Sequence, residues 1–212
     1  MDRRSVVAGA AFVALAVLLV TLGAALRPLV VPDRAPEREV LSAVEIAFLQ
    51  DMTAHHEQAL LMVQALDPGV TPVIARLAQQ VDDVQRVELG TMLGWLRLAN
   101  ALPSNPRPMA WLHEPGPRHH GTPVAATDPA DTSMGMATRA ELDALAAARG
   151  RDAELLFLRL MQRHHYGGVA MARGVDALLT AGPVKQAARE MVTEQTKEIG
   201  MIELLLAQYG VP

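Results

Sequence analysis

The chain has 212 residues, a formal net charge of −4 and no cysteine. The absence of cysteine excludes disulfides and thiolate metal sites, and the lack of a basic run argues against nucleic acid as a partner. Half of the residues are hydrophobic but only 3% are aromatic, and this composition, rich in Ala, Leu, Val and Met, favours an all-α fold.

The N-terminal segment predicts an apolar helix. Val6 to Leu26 is a run of 21 residues without a charge, which is long enough to span a bilayer. Arg3 and Arg4 favour an N-terminus on the inner side. We predict a membrane anchor or signal segment at residues 1–27, followed by a linker at 28–37. The remaining chain is then placed on the extracytoplasmic side of a cell membrane; cleavage near Gly23-Ala24-Ala25 and secretion is the alternative.

Residues 38–210 are predicted to form one helical domain. The first hairpin, 38–100, has helices at 38–66 and 71–100, separated by Asp67-Pro68-Gly69. The second hairpin, 138–209, has a helix at 138–180 with a break near Arg149-Gly150-Arg151, and a last helix at 183–208. Thr138 and Glu141 have the spacing of a capping box.

A proline-rich loop, 101–137, joins the two hairpins. It holds seven of the 14 prolines and several side chains that could bind a metal, namely Met109, Met134, Met136, His113, His119 and His120. A connection of this length inside one domain is either a solvated loop or a functional cover.

The two hairpins repeat one another in sequence. Phe48, Leu49, Met52, His55, His56 and Met62 recur 109 positions later as Phe157, Leu158, Met161, His164, His165 and Met171. Gln85 and Glu88 recur 110 positions later as Gln195 and Glu198. Two similar helical hairpins facing each other predict a four-helix bundle.

Polar residues interrupt the apolar stripe of every helix at a similar depth. Helical periodicity places one histidine of each doublet, His55 and His164, in the stripe and the other, His56 and His165, at its edge. The sequence therefore predicts one polar layer across the core, built from His55, His164, Gln85, Glu88, Gln195 and Glu198.

Buried polar groups are costly unless they are paired. The layer is either a hydrogen-bonded network that fixes helix register or a metal site. Histidine doublets on a repeat, flanked by methionines, favour metal. Imidazole suits Zn, Cu, Fe and Ni, whereas thioether sulfur selects Cu(I), so copper is the predicted ion, with iron or zinc as alternatives. Di-iron bundles commonly use Glu-x-x-His, which this chain lacks.

The doublets also resemble a known family. "FLQDMTAHHEQALLM", "FLRLMQRHHYGGVAM" and the lead-in "SMGMATRAEL" look like the repeated Met-x-x-His-His signature of the domain-of-unknown-function 305 family. That resemblance implies a ferritin-like four-helix bundle behind a signal or anchor, with some members associated with copper. Asp51 and Leu160 stand where the family tends to have methionine, and Tyr166 where it commonly has Gln or Glu.

Together these patterns predict an exported, membrane-anchored protein that binds copper for sequestration or delivery and is not an enzyme. The alternatives are a di-metal oxidase using iron or copper, and a metal-free module that meets an unknown protein partner or another copy of itself. The predicted metal ligands are His55, His164, Met52, Met161, His56, His165, Met62, Met171, Glu88 and Glu198.

Overall fold

The computed structural model of the chain describes residues 2–30, 39–112 and 134–210. Most of the predicted linker, and the part of the proline-rich loop that carries His113, His119 and His120, lie outside these residues. The described part is all-helical, with α1 at Arg3–Val30, α2 at Ala43–Ala65, α3 at Pro72–Leu98, a 3-10 helix at Ala110–Leu112, α4 at Arg139–Ala147, α5 at Gly150–Leu178 and α6 at Pro183–Gln208.

Helix α1 belongs to a unit of its own, and the residues from Val40 onward form a second compact unit. Of the helices that the structure describes, α1 alone is long and apolar enough to cross a membrane, over Val7–Leu26. It continues through Pro28 to Val30, so the first three residues of the predicted linker are helical. A proline this close to a helix end removes only one backbone hydrogen bond near the terminus.

The starts of the helices follow from local sequence. Ser42 caps α2 and Thr138 caps α4, each in a capping box with the glutamate three residues later. The box at Thr138 was predicted from its spacing. Helices α3 and α6 begin with proline, which is pre-set for the first helical turn.

Two helical hairpins make the compact unit. Helix α2 pairs with α3, α5 pairs with α6, and the two histidine-bearing helices α2 and α5 pack against each other. Helix α4 covers both α2 and α5, which confirms the predicted break between α4 and α5. Because α2 and α5 each contact several elements, they are buried on a wider face than a single stripe.

The apolar interior consists of two clusters. One contains Met62, Leu77, Phe157 and Ile202. The other contains Phe48, Met92, Trp111, Val175 and Met191, and in it the rings of Phe48 and Trp111 meet edge to face with centroids 5.6 Å apart. The histidine doublets lie between the two clusters along α2 and α5, so a polar layer divides the core.

Candidate metal centre

The two histidine doublets lie in the middle of α2 and α5 and are buried completely. The exposed fraction is 2% for His55 and 0% for His56, His164 and His165. The predicted edge position of His56 and His165 is therefore wrong: the core extends over both columns of each helix because α2 and α5 are enclosed on several sides. His55 and His164 stack, with ring centroids 3.6 Å apart.

The stacked histidines bind backbone oxygens through Nε2. The Nε2 atom of His164 lies 2.8 Å from the carbonyl oxygen of His55, and that of His55 lies 3.1 Å from the carbonyl oxygen of Met134. A carbonyl only accepts, so Nε2 donates in both rings. In the neutral ring, Nδ1 then carries the lone pair.

The outer histidine of each doublet binds a glutamate. His56 Nε2 lies 2.7 Å from Glu88 Oε2, and His165 Nε2 lies 2.6 Å from Glu198 Oε2. The sequence repeat thus produces two equivalent imidazole–carboxylate pairs. The sequence placed His55 and His164 in the layer with these glutamates; the structure assigns the carboxylates to their neighbours instead, because those rings project toward α3 and α6.

The two pairs differ in exposure. The Glu88 side chain is 17% exposed, whereas that of Glu198 is 3% exposed and also lies 3.4 Å from the side-chain nitrogen of Gln80. The second pair is therefore sealed inside the bundle, while the first reaches the cavity of about 330 Å³ between α3 and α6 that Glu88 helps to line.

The layer also holds polar atoms without partners. In the described part of the chain, no hydrogen bond reaches Nδ1 of any of the four histidines or either side-chain amide atom of Gln85 and Gln195. Both glutamines are buried. An unpartnered buried polar atom costs about 1–3 kcal/mol, so these eight atoms need partners other than the side chains and backbone of the described residues.

The inner histidines are poor bases. Burial, followed by the neighbouring His56, lowers the pKa of His55 to about 3. Burial and the neighbouring His55 hold the pKa of His164 well below its ordinary value. Both rings are therefore neutral at physiological pH, which is the form of imidazole that binds a metal.

A short segment, Met134–Ala137, crosses the two histidine helices; we call it the strap. Gln58 on α2 accepts from the Ala137 N–H and donates to the Ala137 carbonyl. Arg163 on α5 donates to the carbonyls of Gly135 and Met136 and binds Glu141 bidentately. The Arg163 guanidinium is the main reason that the pKa of Glu141 falls to about 2.

Two glycines of α5 make room for this arrangement. A Cβ atom at Gly167 would lie 1.7 Å from the carbonyl oxygen of Met134, and one at Gly168 would lie 2.3 Å from Gln195 Oε1. Gly135 has φ +74° and approaches the Arg163 carbonyl closely. The glycine pair in the middle of a helix thus admits the strap on one side and a buried amide on the other.

The predicted methionine ligands are buried but divided. Met52 and Met171 lie in one apolar cluster, and Met62 and Met161 lie in the other. Of these four, Met171 lines a cavity with His55. Across the described ranges, no three His, Cys, Asp or Glu side chains are grouped closely enough to hold a metal ion.

Sequence reasoning missed the residues that organise the surroundings of His55. Gln58 and Arg163 tether the strap, and Asp51 accepts from the Met109 N–H and the Trp111 indole. Asp51 is a charged residue next to the predicted apolar stripe, which was a usable signal. The partners of Gln58 and Arg163 depend on the path of the strap and had no sequence signal.

Known proteins resemble this chain in sequence and in fold. The sequence model described as "Domain of unknown function (DUF305)" matches residues 45–206. A DUF305 protein of Streptomyces coelicolor, predicted to be secreted, is 34% identical, with a TM-score of 0.67 over 79% of this chain and 93% of its own. A DUF305 fragment of Deinococcus radiodurans is 29% identical, with a TM-score of 0.62 over 79% of this chain and 97% of its own.

A more distant likeness concerns the fold. CopM in its Cu(II)-bound form is 23% identical, with a TM-score of 0.55 over 78% of this chain and 97% of CopM. Its Cu(I)-bound form is 24% identical, with a TM-score of 0.52 over 78% and 96%. No curated protein matches the chain significantly.

Proposed function

We propose that this chain, which belongs to the DUF305 family, binds copper at the layer of four buried histidines and holds or hands on the ion on the outer side of a membrane. The main observation behind this proposal is that the Nδ1 atoms of the four buried histidines have no hydrogen-bond partner among the described residues. In each ring Nε2 is already bound to a carboxylate or carbonyl oxygen.

This bonding pattern is the one that prepares an imidazole for a metal. A ligating histidine typically donates its second ring nitrogen to a carboxylate or a backbone carbonyl, which fixes the tautomer and raises the basicity of the free nitrogen. Here the outer histidines have carboxylate partners and the inner ones have carbonyl partners. The buried glutamine amides add oxygen atoms that also lack partners.

Copper suits the available atoms best. The chain offers neutral imidazoles and 11 methionines but no cysteine, and soft thioether ligands select Cu(I) among the common metals. Three imidazoles or carboxylates do not converge on one point in the described residues, so a bound ion would draw on thioether sulfur or amide oxygen as well. CopM, which was solved with Cu(I) and with Cu(II) bound, shares the fold.

Storage or delivery accounts for the site better than catalysis. A di-metal oxidase of the ferritin-like kind needs carboxylates that reach a shared pair of metals, whereas Glu88 and Glu198 are each bound to a separate histidine. In a metal-free structural layer the polar side chains would pair with one another, whereas eight polar atoms of this layer have no partner among the described residues. We therefore assign no reaction to the site.

Helix α1 supports the proposed location. Its apolar run, Val7–Leu26, is long enough to span a bilayer, and the arginines before it favour an inner N-terminus. The metal-binding unit is then on the extracytoplasmic side, attached by α1. Secretion after cleavage of α1 is the other outcome, and a mass measurement of the mature chain decides between them.

The function is tested by metal titration of the full chain in detergent after removal of bound metal with a chelator. Cu(I), Cu(II), Zn(II) and Fe(II) are added separately, and bound metal and melting temperature are measured. A ligand at one hundred times its dissociation constant stabilises a protein by about 2.7 kcal/mol, which is several degrees here. We expect a stoichiometric shift with copper that the His55→Asn/His164→Asn double variant loses. An unchanged melting temperature with every metal would refute the proposal, and oxygen consumption with iron would favour the oxidase.

A further inference from the structure

Beside the histidine layer lies a cavity whose lining is rich in methionine. It has a volume of about 250 Å³ and is bounded by α2, the segment before the 3-10 helix, and the strap. Four of the chain's 11 methionines line it: Met109, Met134, Met136 and Met171. Three of these come from the connection between the hairpins and lie outside the sequence repeat.

Two side chains of α2 add harder ligands to the same cavity. Asp51 and His55 are one helical turn apart and both line it. His55 is buried and its Nδ1 atom has no hydrogen-bond partner. Asp51 Oδ2 accepts from the Met109 N–H and the Trp111 Nε1–H, at 2.8 Å each, and these two bonds hold the carboxylate at the cavity wall.

The backbone at Met109 is held in a costly conformation. Its φ is +62°, in the left-handed region that costs a non-glycine residue about 1–2 kcal/mol. Glycine or asparagine would adopt this conformation more easily. The N–H of Met109 donates to Asp51, which supports this conformation, and Met109 lines the cavity. Strained positions of this kind occur at binding sites.

The sequence repeat supplies an internal comparison. The counterpart of Asp51 on α5 is Leu160, which is 4% exposed and packs in an apolar cluster. The equivalent position of the second hairpin therefore has neither a carboxylate nor a place in the cavity lining. The carboxylate and the three additional thioethers occur together on one side only, where the strap and the 3-10 helix segment meet α2.

We propose that this cavity is a second cation site, specific for a soft monovalent ion such as Cu(I), with the thioethers of Met109, Met134, Met136 and Met171, the Asp51 carboxylate and His55 Nδ1 as its donor atoms. Thioether sulfur selects soft ions. The thioethers and the imidazole are neutral, so Asp51 supplies the one negative charge and matches a charge of +1. The proposal rests on copper binding by this chain. The cavity shares His55 with the four-histidine layer, and its carboxylate and thioether donors lie outside that layer of imidazoles.

The test uses Ag(I), a soft monovalent ion without redox chemistry, and the full chain in detergent labelled with 13C at the methionine methyl groups. We expect the first equivalent of Ag(I) to shift the methyl resonances of Met109, Met134, Met136 and Met171 and to leave that of Met201 unchanged. Shifts spread over all methionines, or none, would overturn the proposal. This measurement on the unaltered chain does not depend on any variant folding.

Matched variants give the second measurement. Met109→Leu/Met134→Leu/Met136→Leu should bind one Ag(I) fewer, whereas Met92→Leu/Met191→Leu/Met201→Leu removes as many thioethers elsewhere and should bind as the parent does. Asp51→Asn keeps an oxygen that accepts from Trp111 but loses the charge, and should weaken Ag(I) binding at least about tenfold. Equal Ag(I) binding by the two triple variants would overturn the assignment.

The two proposals fail in different ways. If the histidine layer does not bind copper but the cavity holds, Cu(II) causes no change in the imidazole resonances of His56 and His165, while Ag(I) still shifts the four methyl groups. If the cavity assignment is wrong, the imidazole changes with copper persist and the methyl groups do not respond to Ag(I).

Discussion

The imidazole rings of His55 and His164, 109 residues apart in the sequence, are stacked with their planes inclined by 25°. The Nε2–H of His164 donates to the carbonyl of His55 itself, so one ring is held against the backbone that carries the other. Two charged rings at a centroid distance of 3.6 Å would repel each other in a buried site. The stack therefore fixes the register of α2 against α5 and excludes the state in which both rings are charged, and burial favours the neutral form of each ring.

Neutral buried histidines predict that the metal-free protein loses stability in acid. The pKa of His55 is lowered to about 3 and that of His164 lies well below its ordinary value, so the unfolded chain binds more protons than the folded one. Their contribution is complete above the unfolded pKa of about 6.5 and is lost as the pH falls toward 3. Each ring adds a slope of up to about 1.4 kcal/mol per pH unit.

Urea unfolding with chelator at several pH values measures this slope. The His55→Asn/His164→Asn variant titrates the same carboxylates without the two rings, so the difference between the curves isolates the histidines. Parallel curves between pH 6.5 and pH 4 would show that the rings are protonated in the folded state.

Replacing Glu198 by glutamine should weaken copper binding without unfolding the bundle. The glutamine oxygen still accepts from His165 Nε2, which lies 2.6 Å from the carboxylate now present, but it no longer raises the basicity of Nδ1. Loss of such a partner typically costs 10-fold to 100-fold in metal affinity. Competition with a copper chelator measures the affinity.

Glu203→Gln is the control for that variant, since Glu203 binds the hydroxyl of Tyr166 at an exposed position. It should leave copper affinity unchanged. Equal affinity of the Glu198→Gln protein and the parent would remove the His165–Glu198 pair from the site.

Gly167→Ala should destabilise the protein although alanine is the better helix former. The new Cβ would lie 1.7 Å from the Met134 carbonyl oxygen, so the strap must move, and overpacking of this kind costs about 1–3 kcal/mol. At Gly200 nothing lies within 4 Å of an added Cβ, and Gly200→Ala should stabilise by up to about 1 kcal/mol. Chemical denaturation compares the two; a stabilised Gly167→Ala protein would mean that the strap does not lie on α5.

Helix α1 should keep the chain in the membrane. After alkaline extraction, the full chain carrying a C-terminal tag is expected in the pellet with its intact mass. Leu15→Arg/Leu18→Arg should release it, because arginine near the centre of a spanning helix costs about 2.5–3.5 kcal/mol per residue. Leu204→Arg, at an exposed position of α6, is the control. A soluble parent chain that lacks α1 would show cleavage.

The helices and their repeat could be predicted from sequence because they depend on local signals. The turn at Pro68-Gly69 and the capping box at Thr138 placed the starts of α3 and α4 within a few residues, and the predicted bounds 183–208 agree with α6. The shared spacing of the doublets predicted that two hairpins meet at their histidines. Turns, capping boxes and helical periodicity are local in the sequence, and the repeat adds the relation between the two hairpins.

The partners of the histidines could not be predicted in this way. His55 and His56 differ by about 100° around the helix axis, and which of them faces Glu88 depends on how α2 is rotated against α3. Two glycines within a helix lower its intrinsic stability, and the reason for Gly167 and Gly168 lies in their contacts with the strap and with Gln195, which the sequence does not show. These tertiary contacts join residues of different segments, and helical periodicity within one segment does not predict them.

The two hairpins repeat in sequence, but the surroundings of their repeated positions differ. The repeat gives Glu88 and Glu198 the same bond to histidine, yet one is partly exposed and the other is sealed; it gives Asp51 and Leu160 the same position, yet one faces a cavity and the other an apolar core. The surroundings of the histidine layer therefore differ between the two hairpins. Asp51 lines a cavity together with thioethers, whereas the repeated position of the other hairpin, Leu160, is packed among apolar side chains, so the two hairpins differ chemically although their histidine doublets repeat.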